Sequence, residues 1–259
     1  MNARITHVGT ATVVLELDGL RVVTDPVLDP AGSRYRLGPF EYQNLRGPSA
    51  PVPDAPDVVL LSHDHHRDNL DRAGLALARR ARTVVTTSSG AVRLRAKGVQ
   101  RVMGLPPWES RELEGGLRVT ATPARHGPVG TNFVAGDVIG FHVEHPALRT
   151  GPLYVTGDTR WFPGVAQVAE RLPRPSTILA HVGAARFGPP LLRRWLRFSM
   201  DAEELRILAR HFAPRQLIPI HDGGWSHFSE GREAVVRAFA GDASRLRLLR
   251  AGHTEDLEL

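Results

Sequence analysis

A chain of 259 residues, 42% hydrophobic and 23% charged, can bury one substantial core, as a single large domain or as two intimate halves. No apolar run approaches the ~20 residues that cross a bilayer, the opening "MNARITHVGT" lacks the apolar core of a signal peptide, and the expected location is cytoplasmic. There is no cysteine, which excludes disulfides and thiolate ligands and leaves histidine and carboxylate to hold any transition metal; the formal charge of +6 is almost all arginine, with Lys97 the only lysine.

Taken in chain order, "RITHVG", "TVVLELDG" and "LRVVTDP" read as a strand meander, with Asp18-Gly19 as the tight turn between the second and third strands. A Pro/Gly-rich stretch from Pro26 to Pro56 reads as a long loop. Then come a strand over 58–62, a helix about 71–80, strand "RTVVTT", a helix about 89–97 and strand "QRVMGL", a βαβα order that implies parallel pairing. The second half restarts with "LRVTATPARHG", "DVIGFHVEH" and "LYVTGDT", a helix near 163–172 and strand "STILAHVG". In "DAEELRILARHF", Asp201 caps a helix with Glu204 three residues on, and Leu205, Leu208, Ala209 and Phe212 share one face. "QLIPIHDGG", a helix near 229–240 and strand "RLRLLRAG" close the chain. Two β-sheets packed together with helices outside satisfy this order. The densest basic cluster, "LLRRWLRF" over 191–198, reads as a substrate-facing lid or a basic surface patch.

Four strands end in a residue able to bind metal. "VVLLSHDHHRDNLD" runs from an apolar strand directly into His63, Asp64, His65, His66, Asp68 and Asn69; the other strands end at His126, Asp158 and His221. A lone histidine at a strand end is more often structural, and an aspartate after glycine is usually a turn residue. A metal, however, needs three or four ligands meeting at one point, and strand ends converge at one edge of a sheet. All-His/carboxylate ligation suits a hydrolytic zinc, manganese or iron site, zinc first.

The segments "ATVVLELDGLRVVTDPVLDP", "DVVLLSHDHHRDNLD", "TPARHG", "YVTGDT" and "LIPIHDGGW" resemble, in order and spacing, the metallo-β-lactamase superfamily, in particular its ascorbate-6-phosphate lactonase-like branch. The resemblance implies an α/β, four-layer αββα sandwich over residues 1–259, with a binuclear site between the sheets. It makes His126 the third ligand of one metal, Asp158 the bridge, His221 the last ligand of the other metal and Asp25 a structural aspartate. The run "HDHHRDNLD" departs from the family's His-x-His-x-Asp-His by one residue, so the first pair is open: His63 with His65 when anchored on the strand, Asp64 with His66 when anchored on "DNLD", or His63 with His66 in a bulged loop. We favour His63 with His66, which leaves His65 as a competitor and Asp64 beside the ligands. Asn69 falls where a histidine ligand is expected, which implies one tight metal and a second, weak or altered site.

The function this implies is hydrolysis of an ester, lactone or phosphodiester by metal-activated water, with Asp68 orienting the water and taking its proton. Arg125 or Arg186 are placed to hold an anionic group of a small-molecule substrate, and His181 and His227 are candidates for contact with substrate or ligands. A nuclease of the same fold is the rival favoured by the charge, although no RNA-binding module, and no aromatic-basic interleaving beyond "RRWLRF", argues for nucleic acid. A non-catalytic metal-binding or sensor protein is the rival favoured by Asn69. Membrane association is not expected, and a homo-oligomer is left open.

Overall fold

Strand β2 (Thr12–Leu17) shows how the layers arise. Its side chains alternate: Val13, Leu15 and Leu17 enter one apolar cluster and Val14 enters another. The same holds where Val58 and Leu60 face one cluster and Val59 and Leu61 the other. A strand apolar on both faces needs a cover on both, which here is a second sheet on one side and helices on the other. The computed structural model describes residues 2–128, 130, 136–188, 191 and 195–257.

The first sheet contains β1 (Ala3–Gly9), β2, β3 (Leu20–Thr24), β6 (Val58–Leu60), β7 (Thr83–Thr86), β8 (Val102–Gly104) and β15 (Thr254–Asp256), in the order β15-β1-β2-β3-β6-β7-β8. The second contains β9 (Ser110–Glu112), β10 (Arg118–Pro123), β11 (Ile139–Glu144), β12 (Leu153–Val155), β13 (Thr177–His181) and β14 (Gln216–Ile220), in the order β14-β13-β12-β11-β10-β9. Between the sheets lies one core cluster, with Ile5, Leu15 and Leu60 from one side and Phe141, Val143 and Ile218 from the other. Outside the first sheet, α1 (Arg72–Arg80) and α2 (Ser88–Ala96) bury Leu77, Ala78, Ala91 and Leu94. Outside the second, α3 (Pro163–Arg171), α4 (Ala202–Phe212) and α5 (Arg232–Ala238) bury Val165, Leu205, Leu208, Phe212 and Val235. The architecture is the expected αββα sandwich. β6, β7 and β8 pair in parallel as their order predicts, and Asp18 and Gly19 both take positive φ in the β2–β3 turn.

Three local readings are corrected. The stretch Pro26–Pro56 is not all loop: β4 (Arg34–Leu37) and β5 (Phe40–Gln43) form a hairpin within it, which inserts Tyr35 and Tyr42 into an aromatic cluster with Phe187 and Trp225. "RLRLLRAG" is not a strand. Leu246 makes a single bridge to Leu217, and the closing strand is β15, laid antiparallel on the edge strand β1. Its cross-link is Arg247, which donates to Glu255 at 3.0 Å and to the Asp256 carbonyl at 2.8 Å. In α4, Asp201 caps as expected by accepting the Glu204 N–H at 2.8 Å, but the Glu204 carboxylate turns to Arg160 and Arg197 instead of closing a capping box. Of the basic cluster over 191–198, Leu192, Arg193 and Arg194 lie outside the described residues; Arg197 is a buried structural cation, paired with Asp201 and Glu204.

Candidate metal centre

Strand ends β6, β10, β12 and β14 deliver their polar residues to one rim of the sandwich. After β6 the chain turns through Ser62 to Asp71, and all of His63, Asp64, His66, Asp68 and Asn69 are buried. Asp71 holds the exit of this turn. It caps α1 by accepting the Gly74 N–H at 2.7 Å, and its other oxygen accepts the Leu28 and Asp29 N–H groups at 2.6 Å. Asp158 follows Gly157, whose φ is +62° and whose missing Cβ would lie 2.4 Å from the Ile139 carbonyl, so only glycine fits there. His221 itself has φ +59°, a strained conformation for a non-glycine residue, fixed by its N–H donating to the Thr10 carbonyl at 2.7 Å.

Two donor groups result: His63, His66 and His126, and Asp68, Asp158 and His221, each with its ligand atoms within 4.8 Å of one another. In the first, His66 Nδ1 lies 3.3 Å from His63 Nε2 and 2.9 Å from His126 Nε2. In the second, His221 Nε2 lies 3.4 Å from Asp68 Oδ2 and 3.6 Å from Asp158 Oδ2. Outer bonds set the tautomers. The Nδ1–H of His126 donates to the Phe198 carbonyl at 2.7 Å and that of His221 to the Val182 carbonyl at 2.9 Å, which turns both Nε2 atoms inward. Burial pushes the histidines of the first group down, helped by repulsion from neighbouring histidines: His63 falls well below the usual range, His66 to about 3 and His126 to about 4. They are neutral imidazoles, the form that binds metal. Burial opposes the charged form of His221 as well, but Asp158 and Asp68 outweigh it and raise the group to about 9. Burial would raise Asp68, yet His227 and His221 hold it well below the usual carboxylate range.

The donor set fits a divalent metal. His66 Nε2, Asp68 Oδ1, Asn69 Oδ1, Asp158 Oδ2 and His221 Nε2 are buried with no hydrogen-bond partner, and such orphans are costly unless something else satisfies them. Converging imidazole and carboxylate groups are the ligand chemistry of zinc and related ions.

The other sequence candidates fall around this centre. His65 lies outside both groups: it is partly exposed, with its ring where a Cβ on Gly136 would stand. Asp64 turns away from the centre, its carboxylate 1% exposed and gripped by Arg93 (Nη2 at 2.6 Å, Nε at 3.1 Å) and Lys97 (3.2 Å), both on or just after α2. Asn69 donates to Ser62 Oγ at 3.4 Å and to Asp158 Oδ1 at 3.5 Å. His227 Nε2 lies 2.9 Å from Asp68 Oδ2 with its ring stacked on Phe187 at 4.3 Å. His181 pairs with the buried Asp25 at 3.0 Å, and the other Asp25 oxygen accepts the Ser62 N–H at 2.7 Å, so the aspartate supports the ligand turn without joining it. Arg186 donates to Ser229 Oγ at 2.9 Å. Sequence reasoning missed Arg93 and Lys97, the two cations that hold Asp64. Only Lys97 carried a signal, as the single lysine of the chain.

The sequence profile described as the Beta-lactamase superfamily domain matches residues 20–221, a span that contains both donor groups. The chain belongs to the metallo-β-lactamase superfamily. Among its superfamily relatives, a UPF0173 metal-dependent hydrolase of Methanopyrus kandleri is 27% identical over 238 residues, covering 90% of each chain. Another from Methanoculleus marisnigri is 28% identical over 217 residues, 80% of this chain and 84% of the relative. The isothiocyanate hydrolase from Delia radicum gut bacteria superposes with a TM-score of 0.81 at 20% identity, covering 97% of this chain and 98% of that one, and shares the fold. By superfamily and by its own buried His/Asp donor groups, the chain is a metal-dependent hydrolase. The narrower lactonase-like branch rests on the sequence motifs alone.

Proposed function

We propose that this metallo-β-lactamase-type chain hydrolyses an ester, lactone or phosphodiester bond in a small molecule, with zinc held tightly by His63, His66 and His126 and a weaker metal held by Asp68, Asp158 and His221. The observation that carries the reading is the pair of buried donor groups, the second of which leaves Asp158 Oδ2 and His221 Nε2 without a hydrogen-bond partner. When bound, such a metal supplies Lewis acidity, polarising a carbonyl or phosphoryl oxygen and acidifying water. The protein's part is geometric. His227 holds Asp68 Oδ2, so the carboxylate stays ionised and its buried Oδ1 remains free to orient water and take its proton. Phe198 and Val182 lock two ligand imidazoles in the binding tautomer through their carbonyls. Asn69 favours a second reading, a protein that binds one metal and does not turn over.

Elemental analysis of protein purified without chelator, beside an assay on ester, lactone and phosphodiester substrates, tests both. His126→Ala and His221→Ala are expected to lose metal and hydrolysis, while His145→Ala, remote and bonded to the Gly115 carbonyl, keeps both. Full occupancy and activity in the two ligand variants would falsify the assignment, and metal without turnover across the panel would select the second reading.

A further inference from the structure

Beside the first donor group lies a cavity of about 370 Å³, within the ~300–1,000 Å³ range of small-molecule sites. His126 forms part of its wall, with Arg125, the hydroxyl-bearing Thr87 and Ser88, and the apolar Leu105 and Ile139. Arg125 is held in place by everything except an anion. Its backbone N–H donates to Thr159 Oγ1 at 2.9 Å and its carbonyl accepts the Arg160 N–H at 2.9 Å. Its guanidinium lies over the Phe162 ring at 5.0 Å and donates through Nη2 to the Trp161 carbonyl at 3.4 Å. Among the described residues no carboxylate pairs with it, and its Nε–H is buried without a partner. The contrast with other cations near the site is plain: Arg93, Arg160 and Arg197 each have a carboxylate within 3.0 Å. The one acid lining the cavity, Asp137, accepts from Ser89 Oγ at 2.9 Å.

A pre-positioned guanidinium in a cavity wall with no carboxylate partner among the described residues is suited to an anion, because its planar fork matches carboxylate and phosphate oxygens. We infer that this cavity seats an anionic group of the substrate, a carboxylate or a phosphate, held by Arg125 beside His126, the member of the first donor group that lines it. The inference rests on the hydrolase reading and narrows it to anionic substrates. It makes Arg125 a specificity residue: neutral analogues lose one ion pair.

The test is calorimetric titration of the metal-loaded full chain with glutarate and, separately, with inorganic phosphate. At least one should bind one to one, and the tighter one identifies the group. Arg125→Gln should weaken that binding at least tenfold, and Arg149→Gln, an exposed control, should leave it unchanged. If Arg125→Gln proves unable to hold metal, Ser88→Glu, which adds a carboxylate to another wall, is read in its place and should weaken binding likewise. No binding of either anion, or equal binding by the readable variant, overturns the inference. Metal content and hydrolysis of neutral substrates, followed on the same samples, separate this failure from that of the hydrolase reading.

Discussion

His65 and His66 are neighbours of the same chemistry, and only one reaches the metal donors. The difference is Asp64. Its carboxylate is drawn out towards α2 by two cations, so the turn bulges there, and His66 swings under His63 while His65 is left against Gly136. Among the alternatives that spacing alone left open, the fold brings His66 rather than His65 to His63 and His126, beside an ion pair that no motif encodes. Asn69 is the complementary case, because its substitution was legible in the sequence and its side chain does face Asp158. A neutral amide oxygen is a weaker ligand than an imidazole nitrogen, which binds zinc at ~2.0–2.1 Å. Wild type is therefore expected to retain about one tight metal per chain, on an order-of-magnitude view of these affinities. Asn69→His should raise retained metal towards two, and His65→Ala should change it little. Two tightly held metals in the wild type, one of them lost in His65→Ala, would mean that the loop is assigned wrongly.

At the scale of elements, apolar period and strand-end chemistry were readable because strands such as β6 and β14 are covered on both faces and announce themselves as near-continuous apolar runs. The hairpin β4–β5 was hidden. Its strands are four residues each and partly exposed, lying among prolines and glycines, and only Tyr35 and Tyr42 are buried. β15 was equally silent: three residues recruited by an edge, not by a core. Helix α2 carries the next prediction, since Arg93 links it to the ligand turn. Arg93→Ala should cost on the order of 2 kcal/mol, the scale of a hydrogen bond to a buried charge, and should weaken metal retention as well. Chemical denaturation with a parallel metal count checks both, and a variant destabilised but with unchanged metal retention would confine Arg93 to a structural role. A second prediction belongs to β11. Burial lowers the basicity of His142, partly offset by its bond to the Pro173 carbonyl, and its Nδ1 has no partner to share a second proton. The unfolded histidine protonates below about 6.5 while the folded one resists, so this contribution to stability is intact above that pH and is lost as pH falls. The loss of stability between pH 7.5 and 5.5 should be smaller in His142→Gln than in wild type, read from urea midpoints.

Across the whole molecule, the six donor residues come from four strand ends in two sheets, and the nearest of them in sequence are separated from the farthest by most of the chain. An unfolded chain cannot gather His63, His126 and His221, so metal binds the folded state and hardly the unfolded one. Linkage then turns affinity into stability: free metal at 1,000 times its dissociation constant adds ~4 kcal/mol. For a chain of this length one kcal/mol moves the melting temperature by roughly 2–4 °C. Removing the metal should therefore lower it by on the order of 10 °C. The fall should also exceed what charge repulsion alone would give, because without metal the imidazoles of the first group are left with their nitrogens turned on one another and the carboxylates of the second with His221, His227 and Asn69 to answer them. Zinc added back after dialysis should restore the transition, and in His126→Ala neither chelator nor zinc should move it as far. A melting curve unchanged after metal removal verified by elemental analysis would place the metal outside the folded core and undo the reading of these two donor groups as one integral centre.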